Sequence, residues 1–309
     1  MFSSKQIQKG LYFALATSII SGFSVFFNKY AVAAINPPLF FTAIKNIGVG
    51  LLLVAVLGVA YKWHLVKTLR PKAYVQLVAV ALVGGALPFY LFFTGLSLIP
   101  AVNATIIHKT LVIWVALLAG IFLKEKLSPL TALGIGLLVL GQNFVGGFLG
   151  FTFSMGEALV LAATLLWSVE TVIAKRALAH IDPDIVASAR MGLGSLMLLV
   201  AALITTPQSF TTLIEFSATQ WFWLVATSIF LLGYVSMWYR ALTLAPATMV
   251  TAVLVLSTLI TNVLSAVFVT RVWSATLMLQ SLVIALAIVL VYVGMKRQGH
   301  TSEFASSTA

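Results

Sequence analysis

Ten apolar stretches, each long enough to cross a bilayer as a helix, follow one another along the chain with short polar breaks between them. Their approximate limits are Gly10 to Ala34, Leu39 to Ala60, Tyr74 to Phe93, Ala101 to Leu123, Leu130 to Phe148, Met155 to Ile173, Ile185 to Ile204, Gln220 to Tyr239, Ala247 to Phe268 and Ser274 to Met295. A hydrocarbon layer of ~30 Å needs about 20 helical residues at ~1.5 Å each, and these runs meet that requirement. None alternates apolar with polar positions as a barrel strand does, so helices are the spanning element. The first run carries Asn28 and Lys29 inside it and continues to Ala34, which suits a spanning helix and not a cleavable signal.

Composition agrees with this pattern. Hydrophobic residues make up 61% of 309 positions and charged residues 8%, with a mean hydropathy of +1.10, too little polar surface to coat a soluble domain. Cysteine is absent, which excludes disulfides and thiol chemistry. A net charge of +11 would suggest a nucleic-acid partner in a soluble protein, but here the basic residues follow topology. With the N-terminus inside, the inner segments collect Lys5, Lys9, Lys62, Lys67, Arg70, Lys72, Lys124, Lys126, Lys175, Arg176, Arg240, Lys296 and Arg297, and the outer loops only Arg271. The expectation is a multi-pass protein of the plasma (inner) membrane with both termini cytoplasmic, partnered by lipid and a small-molecule substrate, and either monomeric or homodimeric. The polar tail 299–309 is expected to be a disordered cytoplasmic extension.

The chain also repeats itself. Leu96-Ser-Leu-Ile-Pro100-Ala101 returns as Leu242-Thr-Leu-Ala-Pro246-Ala247, a spacing of 146 residues; Lys29 returns as Lys175, and Lys45 falls one residue off register on Arg190. Each half, 10–148 and 155–295, holds five spans. Five is odd, so the second half enters the membrane with opposite orientation, the inverted-repeat plan of many secondary transporters. The predicted fold is therefore all-α: ten transmembrane helices as two inverted five-helix repeats.

These residues carry a family likeness. The Leu-x-Leu-x-Pro-Ala turns before the fourth and ninth helices, the Phe122-Leu-Lys-Glu-Lys-Leu-Ser-Pro129 end of the fourth, and Leu165-Leu-Trp167 with Ala174-Lys-Arg176 in the sixth resemble the drug/metabolite transporter superfamily, in particular its ten-helix EamA-type members. The resemblance implies a transporter with a central cavity that opens alternately to the two sides, lined in part by the fourth helix. It matches Lys45 and Arg190 to a basic residue that the family places early in the second helix of each repeat. Several phosphate-carrying relatives place a lysine in the fourth helix. The sequence departs from the family in four places: Val112 and Thr258 stand where a proline is usual, Arg271 stands at the end of the ninth helix where a Glu is expected, and no Trp lies near Ser21-Gly22.

Chemistry inside the spans is sparse. Lys109 lies about nine residues into its helix, roughly 13 Å deep, where an ammonium group is expensive and marks a site or an internal pair. It is read either as the binder of an anionic substrate group or as the partner of Glu170. His108, its neighbour, points about 100° away around the helix, and is either a second ligand or a packed interhelical histidine. Lys45 and Arg190, at mirrored depths, either guide anions at the two mouths of the cavity or snorkel to headgroups. Glu170 is a deep carboxylate and a candidate for proton coupling, with Lys109 or Lys175 as alternative charge partners. Trp114, Trp167, Tyr90 and Trp238 are candidates for the apolar wall of a substrate site, whereas Trp63, Trp221, Trp223 and Trp273 suit an interfacial belt.

Enzyme readings find no support: no paired carboxylates share a helix face, and there is no HExxH, Walker or dinucleotide glycine pattern. Four scattered His residues and no thiols suggest no metal site, and no cofactor is expected. The function expected is secondary active transport of a small metabolite with an anionic group, by alternating access. The alternative is an exporter of amino acids or cationic drugs in which the basic residues pack and the aromatic residues bind.

Overall fold

The computed structural model describes residues 3–99, 101–146, 154–273 and 275–307. Ten long apolar helices dominate them: α1 (Ser4–Ala34), α2 (Pro38–Val59), α3 (Pro71–Val80, a π-helical turn Ala81–Ala86, then Leu87–Leu98), α4 (Ala101–Lys109, Leu111–Leu118 and a π turn Ala119–Leu123), α5 (Pro129–Gly146), α6 (Met155–Ala177), α7 (Pro183–Thr205), α8 (Ala218–Leu244), α9 (Ala247–Leu254, Leu256–Ser265 and a π turn Ala266–Thr270) and α10 (Ala275–Ser307). No strand occurs among the described residues. The starts are dictated locally. Ser3, Ser154 and Ser217 each form a capping box, with Gln6, Glu157 and Gln220, satisfying otherwise orphaned N–H groups. Proline opens α2, α3 and α7, where its missing N–H costs nothing.

Packing repeats the internal symmetry. Helix α1 lies along α8 and α9 as α6 lies along α3 and α4, while α2 packs on α7 and α5 on α10 across the centre. The two halves are thus interleaved, each helix of one finding its main neighbours in the other. One close crossing shows how. A Cβ at Gly85 would strike the Arg190 carbonyl, and one at Gly194 would lie 2.6 Å from the Cα of Gly85, so α3 and α7 touch backbone to backbone.

The ends of the bundle differ. At the end rich in Lys and Arg, Lys62 holds Asp182 at 2.9 Å and Asp184 at 2.7 Å, and Arg240 holds Asp184 at 2.7 Å. The hydrogen bond to Asp184 raises the Lys62 pKa above its ordinary value. At the opposite end the helices meet through rings: Tyr30 stacks on Trp223 at 5.6 Å, Phe27 meets Phe230 at 5.1 Å, and Phe40 meets Phe210 at 4.9 Å. Trp223 is therefore an internal packing residue, whereas Trp63, Trp221 and Trp273 are exposed as an interfacial belt would be.

Helix α10 is assigned from Ala275 to Ser307. The missing prolines at Val112 and Thr258 do not leave α4 and α9 straight. Both helices break near mid-span, at Thr110 and Val255, where N–H groups turn to the carbonyl three residues back: Thr110 to Ile107 at 3.1 Å and Val255 to Ala252 at 3.2 Å.

Candidate functional site

The break in α4 owes much to one hydroxyl. Thr110 Oγ1 donates to the Ile107 carbonyl at 2.7 Å and accepts from Trp114 Nε1 at 3.0 Å, replacing the helical bond that the turn gives up. Lys109 is thereby the last residue of a short half-helix, whose carbonyl end favours a cation. Its ammonium donates to Ser257 Oγ, 3.1 Å away on α9 and two residues past the matching break at Val255. Between the two breaks lies a cavity of about 20 Å³, lined by His108, Lys109, Leu111, Val112, Thr251, Leu254 and Val255. That is room for about one water. The arrangement puts a cationic group and the loose backbone of two broken helices at one mid-span point between the halves.

His108 borders the same cavity with its ring packed toward α3 and α6. Its ring packs edge-on against Trp167 at 4.9 Å and Phe92 at 5.6 Å, and its Nδ1 is buried without a hydrogen-bond partner. Trp167 in turn donates Nε1 to the Gly84 carbonyl, 3.1 Å away in the π turn of α3. His108 and Trp167 are brought together; Trp114 is engaged with Thr110 on its own helix.

The remaining candidates form separate groups. Glu170 does not pair with Lys109. Its Oε1 accepts from the Tyr239 hydroxyl at 2.7 Å, and it faces the Arg190 guanidinium, which lies 5.9 Å from the Tyr239 ring centroid. Glu170 is 1% exposed and Arg190 6%, so Arg190 does not snorkel. Trp238 is buried nearby, stacked on Tyr234 at 6.0 Å. Lys45, 5% exposed, does not snorkel either: its ammonium donates to Asn28 Oδ1 at 3.0 Å and sits 4.7 Å from the Phe41 ring centroid. Tyr90 belongs to a cluster of α2, α3 and α7 with Ala43 and Leu198. Lys175 spans to the C-terminus of α8, where it donates to the carbonyls of Leu242 and Ala245.

Sequence reasoning missed Ser257, Thr258 and Asn46. Asn46 is fully buried with neither amide atom partnered, and Thr258 Oγ1 is equally orphaned. Hydroxyls and amides in apolar runs are common, and nothing in one dimension separates a partnered one from an orphan. Glu125 was also under-read: from the end of α4 its carboxylate accepts from the N–H groups of Ala247 and Thr248, at 2.7 and 3.1 Å, and from the Thr248 hydroxyl at 2.9 Å, capping α9. Its counterpart is not Arg271. Lys124 and Arg271, both with positive φ directly after a π turn, occupy equivalent places, so Val272 stands where Glu125 does.

Ten apolar helices in two interleaved inverted repeats, with a cation at two broken helices midway, define a membrane transporter in class. The chain matches the EamA-like transporter family twice, over residues 8–146 and 154–293, and belongs to that family. It is similar to an uncharacterized transporter of Methanothermobacter thermautotrophicus, 26% identical over 206 residues. That match covers 62% of this chain and 60% of the relative's length. A crystal structure of a protein shares the fold, with a TM-score of 0.76 and 17% identity over 96% of this chain and 99% of the other.

Proposed function

We propose that the protein is a secondary active transporter of a small metabolite bearing an anionic group, bound at Lys109 between the broken helices α4 and α9. The observation that carries this reading is the company Lys109 keeps. Its ammonium touches a neutral serine hydroxyl, no carboxylate lies within ion-pair distance of it among the described residues, and Glu170 is committed to Tyr239 and Arg190. A deep ammonium without an acidic partner is stabilised by an anion supplied from outside. His108, Trp167 and Phe92 offer the remainder of the substrate an aromatic wall. Lys45 and Arg190 support the site through α1, α2 and α7 and are not proposed as direct ligands.

The packing supports alternating access. Substrate entry requires the half-helices of α4 and α9 to separate, and their breaks supply hinges that an intact helical ladder lacks. By the distribution of basic residues, the ion-paired end faces the cytoplasm of a plasma-type membrane. Proton coupling is assigned to Glu170 only as far as its carboxylate changes protonation when Arg190 moves away. The test is uptake into proteoliposomes of a panel of radiolabelled carboxylates, phosphate esters, amines and amino acids by wild type, Lys109→Ala and Lys109→Arg. Uptake of an anion that falls in Lys109→Ala and is partly kept in Lys109→Arg supports the reading. Uptake confined to amines or amino acids and indifferent to both substitutions overturns it in favour of a carrier in which the aromatic residues bind.

A further inference from the structure

A second cavity, of about 450 Å³, lies at the basic end, well away from Lys109, between the first turn of α3 and the last turn of α6. Its lining is Arg70, Lys72, Ala73, Gln76, Arg176 and His180, with no acidic residue. The two walls are tied together by His180 Nε2 and Gln76 Oε1 at 2.9 Å. Arg176 is positioned by the Phe122 carbonyl at 2.5 Å and by the Phe122 ring, 5.8 Å to its centroid.

The carboxylates available at this end are used elsewhere. Asp182 and Asp184 hold Lys62 and Arg240, and Glu125 caps α9. The first turn of α3 contains no acidic residue, so its N–H groups add to the positive field. Three permanent cations, an imidazole and a helix start thus converge on a space large enough for an anionic headgroup. We propose that this cavity is a binding site for a phosphate group, carried by an anionic lipid headgroup or by a soluble phosphate.

The surroundings favour the lipid source. Val75 is 69% exposed, Ile121 68% and Phe122 51%, which places apolar surface for acyl chains beside the basic cavity. Guanidinium groups bind phosphate oxygens in paired, charge-assisted hydrogen bonds, and basic pockets between helices at the cytoplasmic side suit such headgroups.

The test uses the full chain in detergent, titrated with phosphatidylglycerol, phosphatidylcholine or inorganic phosphate while thermal unfolding is followed, since a ligand of the native state raises its apparent stability. The expected result is a rise in Tm with phosphatidylglycerol and not with phosphatidylcholine. The half-saturating concentration should increase at least about fivefold in Arg70→Gln/Lys72→Gln and be unchanged in Lys5→Gln/Lys9→Gln, which removes the same charge from exposed positions. An equal response to inorganic phosphate, with the same dependence on Arg70 and Lys72, supports the site with a soluble source. Arg70→Glu serves as a second variant should the double substitution fold poorly, and Lys109→Ala should leave the response intact, which separates this site from substrate binding. Equal loss in both double variants, or no response to either phosphate source, overturns the proposal.

Discussion

The molecule buries charge at its middle in two ways. In the Glu170 cluster a carboxylate, a guanidinium and two tyrosines from α6, α7 and α8 face one another, and the hydroxyl of Tyr239 closes on Glu170 at 2.7 Å. Across the bundle, Lys109 has a serine at 3.1 Å and a small cavity. The first arrangement joins three helices through a carboxylate facing a guanidinium, with Arg190 Nε itself left without a hydrogen-bond partner. The second has a serine hydroxyl and no carboxylate within ion-pair distance among the described residues, and under the proposed function its counter-charge is the substrate. The comparison to be tested is between a buried charge that faces an opposite charge and one that faces only a hydroxyl.

The contrast can be broken most decisively at Glu170. Removing Glu170 takes the acceptor from the buried Tyr239 hydroxyl and the facing carboxylate from the buried Arg190 guanidinium, a loss of up to about 3–5 kcal/mol, so Glu170→Ala should unfold well below wild type, as read by thermal denaturation in detergent. If Glu170→Ala is as stable as wild type, the cluster is not architectural. Lys109→Ala should behave oppositely. Loss of a charge-assisted hydrogen bond of about 1.5–3 kcal/mol corresponds to roughly ten- to hundredfold weaker transport, with Tm near or above wild type, because a costly buried charge is removed.

Next comes the support of the cluster. Gly84 lies against the Glu170 side chain, and a methyl there would press on it. Gly84→Ala should destabilise by about 1–3 kcal/mol through overpacking, while leaving the apparent substrate affinity of the folded fraction unchanged. A selective loss of affinity in this variant would mean that the two centres are one site.

The smallest effect belongs to the ion pairs at the basic end. Lys62→Ala should cost no more than about 1 kcal/mol, since the pairs are partly exposed. The pKa of Lys62 is raised in the folded state, so its contribution is full below the ordinary lysine value of 10.5 and fades as pH rises through the higher folded value. Unfolding of wild type and Lys62→Ala should therefore converge at strongly alkaline pH; a difference that persists there would assign the effect to packing.

Much of the architecture was legible in one dimension because the bilayer imposes length and apolarity on each span, and duplication leaves its register in Pro100 and Pro246. Lys109 was legible for the same reason, as a charge where charge is costly. The breaks in α4 and α9 were not. Proline would have announced them, whereas Thr110 makes its turn with a hydroxyl that is indistinguishable in sequence from any other threonine. Nor could the neighbours of Glu170 be read: Lys109 and Lys175 were its candidate partners, whereas Arg190 and Tyr239 reach it only after α7 and α8 have packed. Arg271 falls at the place of a Glu when the 146-residue spacing is carried through, because the repeat spacing changes by one residue before the π turns end, a drift too small to see without the backbone.

Glu125 gives that drift a thermodynamic meaning. Were the two repeats identical, interchanging their conformations would produce a second state degenerate with the first. The chain does not have this degeneracy. A carboxylate holds the start of α9, whereas Val272, in the corresponding place, has no side-chain acceptor to offer the start of α4. The interchanged state lacks this cap, a difference of about 1–2 kcal/mol for a helix N-cap, which is enough to bias a two-state equilibrium by roughly five- to thirtyfold. Under the proposed alternating access, one carboxylate without a twin would give a nearly symmetric molecule a resting state.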